Sequence, residues 1–323
     1  MKGPLRLVVG VLVYLCLACG LGRAADNQVS PVRIAVGFGA GSPPDIETRT
    51  LTAPLQTLLG RPVVVENRPG ASGTIALQDL VNQNADGSLL LALPAPTAWI
   101  LSLYPTVHVD LAKDIAPIGQ INWDYNVLVV GNASPAKSVA GLIAALKARP
   151  GKMNFASAGY GTPAHLVAEL LMDKTQTAAI HVPYSQFGQA VQDVIAGRVD
   201  FMVMGAAVAV PQVQSGKLRA LAVTSPKRLP ALPDVPTFAE EGFPNMSVGS
   251  WVGLVAKAGT PAATIGKLNH ALNAALLTPE VRKGLATLQS EPVGGTPEEF
   301  GKKILDDAES WKRIIKEARI TLE

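Results

Sequence analysis

The chain has 323 residues, of which 48% are hydrophobic and 16% are charged. This balance excludes a disordered chain, and the length suits two compact domains. The formal net charge of +3 is too small to indicate binding to nucleic acid or to an anionic membrane surface.

The first 24 residues have the pattern of a secretory signal. Lys2 and Arg6 precede an apolar run over 7–21, and residues 22–24 suit cleavage. The run is shorter than the roughly 20 residues that a membrane-spanning helix needs, which disfavours a membrane anchor. We therefore expect residues 1–24 to be a cleaved signal peptide and the mature protein to be secreted.

Both cysteines lie inside this segment. A lipid anchor at Cys19 is disfavoured, because Cys16 stands where such motifs usually have Leu. The mature chain then has no thiol for a disulfide, a cysteine metal site or redox chemistry. Removal of the segment also leaves 25 basic and 25 acidic residues, so the mature chain is electrically neutral.

The chain after the signal predicts alternating strands and helices. Val32–Val36 and Pro62–Val65 are short apolar runs typical of buried parallel strands, and residues 46–59 have nearly helical apolar spacing. Similar runs follow, which predicts the α/β class with two similar lobes. The further expected strands are 89–93, 115–121, 126–130, 153–156, 180–183, 201–204 and 218–224, with helices at 162–174 and 189–196.

Two later stretches have other patterns. Residues 225–247 contain five prolines, which predict a surface connection and not a core element. Near the C-terminus, apolar residues recur at steps of three and four, so we expect an amphipathic helix packed on one lobe. These residues are Phe300, Ile304, Ala308, Trp311, Ile315 and Ala318.

A glycine-rich turn, GFGAGSPPD at 37–45, lies between the first strand and the first helix. Such turns point backbone N–H groups and the positive end of a helix at a bound anion. Ser42 is placed to cap the helix, with Pro43 at its first position.

Two alternative interpretations of this turn are an ordinary tight turn and a dinucleotide-binding fold with Glu66 at the ribose. The dinucleotide fold is disfavoured because Pro43 and Pro44 occupy the region where a third glycine is needed.

A second turn, SAGYGTPAH at 157–165, repeats these features with Thr162 as the cap. Two such turns in successive α/β units are expected to face each other across a cleft and to bind an anion without an arginine or lysine. The ring of Tyr160 is expected either to stack on a ligand or to cover the cleft edge.

The sequence contains no recognisable arrangement of catalytic residues. The four histidines share no metal-ligand spacing, and no serine stands in a nucleophile elbow. We expect His165 to orient the second turn and His181 to be a core or rim residue. No catalytic residue, metal site or cofactor is predicted, and the protein is not expected to be an enzyme.

The order of short motifs resembles the tripartite tricarboxylate transporter substrate-binding proteins, also called Bug receptors. Matching segments cover almost the whole mature chain and include VRIAVGFGAGSPPD, RPVVVENRPGASG, PGKMNFASAGYGT, GRVDFM and LPDVPTFAEEGFP. The resemblance implies a type II periplasmic-binding-protein fold, in which two α/β lobes joined by two crossings close over a ligand. We assign lobe 1 to 25–123 and 226–323, and lobe 2 to 124–225.

The resemblance also implies a small carboxylate ligand, held chiefly by backbone N–H groups of both turns and by water. The implied ligand-binding residues are Phe38, Gly41, Ser42, Pro43, Asp45, Ser157, Gly159, Tyr160, Gly161, Thr162, His165 and Met204. The sequence departs from the family pattern at several positions near these, and each departure removes polar groups or adds apolar surface. The departures include Pro43, Pro94, Tyr160 and Met204. They predict a ligand with one carboxylate and an apolar or aromatic body.

We predict a monomeric receptor that delivers its ligand to the membrane components of a tripartite transporter. Two alternatives are a ligand sensor that signals to a partner protein and a secreted enzyme on the same fold. The enzyme is disfavoured because the sequence offers no nucleophile or metal site in the expected cleft.

Overall fold

The computed structural model describes residues 30–104, 106–184, 186–246 and 248–317. The expected signal peptide at 1–24 and Ala318 of the expected C-terminal helix lie outside these ranges. Within them, no helix is both long enough and apolar enough to cross a bilayer.

Strands and helices alternate along the described chain. The strands are β1 (Val32–Val36), β2 (Val63–Asn67), β3 (Leu89–Pro94), β4 (Ile115–Gly131), β5 (Asn154–Ser157), β6 (Ile180–Pro183), β7 (Phe201–Gly205), β8 (Leu218–Val223), β9 (Gly249–Lys257) and β10 (Ser290–Gly294). The helices are α1 (Pro43–Thr50), α2 (Thr52–Leu59), α3 (Thr74–Val81), α4 (Ala95–Trp99), α5 (Val139–Ala148), α6 (Pro163–Thr175), α7 (Phe187–Ile195), α8 (Ala206–Gln214), α9 (Ala262–Leu276), α10 (Pro279–Thr287) and α11 (Pro297–Glu317). Short 3-10 turns lie at Ala71–Gly73, Ile100–Leu103 and Pro244–Met246.

Strand β4 belongs to two sheets. Residues 115–125 of β4 pair with β9 in sheet A, whose strand order is β2-β1-β3-β9-β4 with β10 also on β4. Residues 126–131 pair with β7 and β8 in sheet B, which continues through β5 to β6. The chain returns from sheet B to sheet A between β8 and β9. The two sheets are therefore joined by two crossings, as predicted.

Helices cover both faces of each sheet. In sheet A, one apolar cluster packs beneath α2, α9 and α10, and another beneath α3, α4 and α11. In sheet B, one cluster packs beneath α5 and α6, and the other beneath α7 and α8. Burial of a single Leu or Ile side chain stabilises such a core by about 2 kcal/mol. We call sheet A with its helices lobe A, and sheet B with its helices lobe B.

Most predicted elements are present, with three corrections. The two strands expected at 115–121 and 126–130 are one continuous strand, and the helix expected at 46–59 is two helices that meet at Leu51. The prediction that 225–247 contributes nothing to the core is wrong, because Phe238 is only 1% exposed and packs in lobe B. Prolines prevent regular structure in this segment, but they do not prevent burial of the apolar residues between them.

The two lobes are in contact. Leu166 of α6 packs in the same apolar cluster as Trp99 and Ile100 of lobe A. Gly161 is buried against Ile100, since a methyl group added to Gly161 would lie 2.6 Å from Ile100 Cγ2. The described residues from Pro31 onward accordingly form one compact unit.

Candidate functional site

The two glycine-rich turns lie beside the place where β4 changes sheets. The first turn follows β1, and β4 runs parallel to β1 and β3 because both β3 and β4 are antiparallel to β9. The second turn follows β5, which is parallel to β7, and the end of β7 at Gly205 pairs with Asn126 of β4. Both turns are therefore at the carboxyl edges of their sheets, on either side of the crossing strand. Open α/β sheets bind ligands at such edges.

A buried carboxylate fixes the shape of the first turn. Asp45 is 2% exposed, and its Oδ2 accepts the backbone N–H of Gly41 at 2.8 Å. Its Oδ1 accepts hydrogen bonds from Arg49 Nε at 2.9 Å and Asn67 Nδ2 at 2.7 Å. Burial by itself raises the pKa of Asp45, but these three donors together hold that pKa below its ordinary value. Asp45 thus neutralises Arg49 and positions the turn.

Ser42 occupies the predicted cap position of α1, but its hydroxyl does not cap the helix. Pro43 and Pro44 follow it and have no N–H, so only the Asp45 N–H is left in the first turn of the helix for a capping oxygen. Ser42 Oγ is buried and has no hydrogen-bond partner among the described residues. Buried polar atoms are normally satisfied, so this hydroxyl is a candidate for contact with a ligand.

The second turn is fixed by a histidine, as the sequence analysis predicted. Thr162 caps α6 by accepting the His165 N–H, and its own hydroxyl donates to the Gly159 carbonyl at 2.8 Å. His165 Nδ1 accepts the backbone N–H of Gly161 at 3.1 Å. The imidazole therefore orients the turn, and its Nδ1 is an acceptor without a proton.

Aromatic rings pack beneath this turn. The imidazoles of His165 and His181 are stacked with centroids 4.2 Å apart, and Phe155 stacks on His181 at 4.8 Å. The Tyr160 ring stands edge-to-face on both imidazoles, at 5.5 Å and 4.8 Å. Ser157 Oγ lies 2.6 Å from His181 Nε2. Tyr160 is thus held by two rings of the protein itself, and stacking on a ligand stays a prediction.

Burial keeps both imidazoles neutral. It lowers the pKa of His165 to about 3, with a further contribution from His181, and it lowers the pKa of His181 to about 4. Burial also raises the pKa of Glu169, whose carboxyl lies 3.7 Å from His165 Nε2, to about 7. The region beneath the second turn therefore carries little charge near neutral pH.

The buried His165 predicts a loss of stability in acid. Unfolded histidine takes up a proton below about pH 6.5 while folded His165 stays neutral down to about pH 3, so unfolding becomes more favourable as the pH falls through this window. Between pH 7 and pH 5 this residue should cost about 2 kcal/mol of stability. Urea unfolding gives the change in the free energy of unfolding between pH 7 and pH 5 for the wild type and for His165→Gln. Subtracting the two changes isolates the contribution of His165, because the opposite contribution of Glu169 is present in both proteins. Equal pH dependence of the two proteins would contradict the prediction.

The turns use some of their backbone N–H groups internally and leave others free. Gly41, Ser42, Gly159 and Gly161 all donate to groups within their own turns. In the described part of the chain, no acceptor takes the N–H groups of Gly39 and Ala40 in the first turn or of Tyr160 and Thr162 in the second. Apart from their chain neighbours, no atom of the described residues comes within 4 Å of where a methyl group on Gly39 or Gly159 would lie, so the backbone is open to approach there.

The segment after β3 connects the two turns, and its residues Thr97 and Ile100 are not among the site residues predicted from the sequence. A methyl group on Gly73 would lie 2.6 Å from Thr97 Oγ1 and 3.1 Å from Phe38 Cε2 of the first turn. Three residues further on, Ile100 contacts Gly161 of the second turn. Its location in the sequence could have indicated this segment, because it begins at the carboxyl end of a central strand.

The remaining predicted site residues have different environments. Met204 is 1% exposed and packs in the cluster beneath α7 and α8, which gives it a packing role. Pro43 is exposed at the first position of α1, and Phe38 is half-buried against the core of lobe A. Contact of these three residues with a ligand stays a prediction.

A buried carboxyl pair lies beside the crossing. Glu47 of α1 is 3% exposed, and its carboxyl lies against that of Asp124, the residue of β4 that pairs with Ser250 and Ser290. Burial and the charge of Asp124 raise the pKa of Glu47 well above its ordinary value, and burial raises that of Asp124 to about 6. The two carboxyls together therefore bind a proton more tightly than isolated carboxyls do.

Comparison with known proteins identifies the family. The family described as "Tripartite tricarboxylate transporter family receptor" matches residues 48–320. BugT of Bordetella pertussis is 33% identical over 321 residues, which cover 99% of this chain and 98% of that protein. This chain belongs to the tripartite tricarboxylate transporter receptor family. The family resemblance in the sequence is thereby confirmed.

Solved structures of similar proteins match nearly the whole chain. The periplasmic binding protein BugD aligns with a TM-score of 0.81 and 31% identity, covering 90% of this chain and 98% of its own. MatC from Rhodopseudomonas palustris, solved with bound malate, aligns with a TM-score of 0.80 and 30% identity, covering 89% and 99%. The predicted fold, two α/β lobes around a cleft, is confirmed. The family consists of solute-binding receptors and not of enzymes, and its members are periplasmic binding proteins.

Proposed function

We propose that this receptor captures a small carboxylate between its lobes, chiefly through backbone N–H groups of the two turns and through water. The observation that carries the proposal is the pair of glycine-rich turns with free N–H groups on either side of the crossing strand. Arg49, the cation closest to the first turn in the hydrogen-bond network, is already neutralised by Asp45. Neutral backbone donors are therefore the groups available to bind an anion.

The charges around the cleft favour a ligand with one carboxylate and an apolar or aromatic body. The imidazoles of His165 and His181 are neutral, so they add no positive charge. The acidic pair of Glu47 and Asp124 lies at the edge of lobe A, where it offers no positive charge to a second carboxylate and repels one when it is ionised. We expect the ligand carboxylate to accept hydrogen bonds from free backbone N–H groups of the two turns. These groups are those of Gly39, Ala40, Tyr160 and Thr162.

We further propose that the receptor acts outside the cytoplasmic membrane and works with membrane partners. The mature protein acts in the periplasm as a monomer, after cleavage of residues 1–24. Its first lobe consists of residues 25–123 and 226–323, and its second lobe consists of residues 124–225. It delivers its ligand to the membrane components of a tripartite transporter. The second candidate is a ligand sensor that signals to a partner protein, which would use the same binding site.

Ligand binding should stabilise the folded protein in a way that depends on the number of carboxylates. A ligand at a thousandfold excess over its Kd stabilises the native state by about 4 kcal/mol, which raises Tm by several degrees. We expect hexanoate or benzoate to raise Tm more than adipate and malate do, in thermal unfolding at pH 7. Hexanoate and adipate are a matched pair, because they have the same chain length with one and two carboxylates.

Two results would count against the proposal, and they are distinguishable. If none of these acids, and no acid that copurifies with the protein, raises Tm, then carboxylate capture itself is contradicted. If adipate or malate stabilises the protein more than hexanoate and benzoate, capture stands but the preference for a single carboxylate is wrong. Hexanamide serves as the neutral control and should leave Tm unchanged.

A further inference from the structure

Asn126 occupies the point at which the chain passes from lobe A to lobe B. The residue before it, Tyr125, pairs with Gly249 of β9 in sheet A, whereas Asn126 pairs with Gly205 of β7 in sheet B. Since both sheets have their carboxyl edges here, Asn126 lies on the floor of the cleft between the two turns. None of the site predictions made from the sequence includes it.

The backbone N–H and carbonyl of Asn126 both have hydrogen-bond partners, but its side-chain amide nitrogen has none among the described residues. Its N–H donates to Thr224 Oγ1 at 2.9 Å, and its carbonyl accepts the Thr224 N–H at 2.9 Å. The residue is 6% exposed, yet Nδ2 has no acceptor within the described parts of the chain. A buried amide donor without a partner is costly, and native structures seldom retain one that serves no purpose.

The direction of the side chain follows from the alternation of the strand. Leu128 and Val130 pack in the cluster beneath α6, together with Phe155. Asn126 is two residues before Leu128, so its side chain is on the same face of sheet B. Phe155 stacks on His181 beneath the second turn. The free amide therefore lies on the face that carries the second turn and its imidazoles.

We propose that Asn126 is a ligand-contacting residue, whose side-chain amide donates a hydrogen bond to the carboxylate held between the turns. This inference rests on the proposed function, because it needs an anionic ligand at the crossing. A neutral amide suits the site, since an arginine or lysine there would be drawn to the carboxyl pair of Glu47 and Asp124. The hydrogen bond would also link the ligand to the strand that must bend when the lobes open.

The test uses Asn126→Leu, which keeps a similar branched shape and removes the amide. If the amide serves only a ligand, the unliganded variant should have a Tm equal to or above that of the wild type, because an unpaired buried donor is lost. Its affinity should fall about 10- to 100-fold, since the lost hydrogen bond is to a charged group. Affinity is measured by isothermal titration with benzoate, hexanoate, adipate and malate.

Asn154→Leu is the matched control. Asn154 lies at the start of β5, and its Oδ1 already accepts the Asp200 N–H at 2.9 Å. This variant should lower Tm and leave affinity unchanged. If Asn126→Leu lowers Tm in the same way and binds the acids as the wild type does, Asn126 is structural and the inference fails while the proposed function stands. If the wild type binds none of the acids, the proposed function fails and this inference fails with it.

Discussion

Replacing Gly161 with alanine is expected to lower ligand affinity by about two orders of magnitude while the protein still folds. Gly161 has φ +73°, which costs an alanine roughly 1–2 kcal/mol. The larger effect is steric, because the new methyl group would lie 2.6 Å from Ile100 Cγ2 of the opposite lobe. The lobes must separate to relieve this overlap, so the closed state that holds the ligand becomes rare. Isothermal titration gives the affinity, and small-angle scattering gives the separation of the lobes.

Two further variants separate the contact between lobes from backbone strain. Gly159→Ala is the control, because Gly159 also has a positive φ of +118°, but no atom of the described residues other than its chain neighbours lies within 4 Å of the added methyl group. It should fold and close normally, with a smaller loss of affinity. Ile100→Ala in the Gly161→Ala background removes the overlapping atoms and should restore part of the affinity. Wild-type affinity in Gly161→Ala would show that binding does not need this contact.

Replacing Asp45 with alanine is expected to lower the free energy of unfolding by about 3 kcal/mol and to abolish measurable binding. The substitution leaves the Gly41 N–H, the Asn67 amide and the Arg49 guanidinium without their shared acceptor. The Gly41 N–H must then find water or remain unpaired, and the first turn loses the bond that fixes its shape. Asn67 Nδ2 still donates to the Phe38 carbonyl, and Arg49 still donates to Asn67 Oδ1. Urea unfolding at pH 7 measures the stability, and titration with benzoate or adipate measures binding.

The matched control for Asp45 is an exposed ion pair in the same lobe. Asp79 pairs with Arg68 at 3.3 Å with its side chain 45% exposed, so Asp79→Ala should cost less than about 1 kcal/mol. Stability from Asp45 should be present above pH 3.8 and be lost as the pH falls through its lower folded pKa. Comparable losses in the two variants would mean that Asp45 acts as an ordinary surface charge.

Much of the fold follows from local sequence patterns. The short apolar run Val32–Val36 predicts a strand with the observed limits, because a buried parallel strand needs apolar residues on both faces. Ile180–Pro183 also has the predicted limits, although it is an edge strand with Ile180 exposed. Glycines and prolines mark both turns and the start of α6. The elements at 249–257 and 262–287, which complete lobe A, were not predicted.

The continuity of β4 was not available from the sequence. Residues 122–125 read as a polar interruption, yet each pairs with a neighbour in sheet A, and Asn122 is buried with its amide donating to Ser290 and Asp124. Polar residues can continue a strand when residues distant in sequence supply their hydrogen bonds. Ser290 is 168 residues away from Asn122, so no local pattern indicates this partner.

At the site, local sequence patterns predict the two glycine-rich turns, the family, and the role of His165 in orienting the second turn. Only the folded structure shows which hydrogen-bonding groups of those turns are already used. Asp45 accepts the Gly41 N–H and His165 accepts the Gly161 N–H, whereas Ser42 Oγ and Asn126 Nδ2 are buried without a hydrogen-bond partner among the described residues. Spacing along the chain shows which residues can donate hydrogen bonds, but whether a donor is free depends on acceptors that only folding brings within reach.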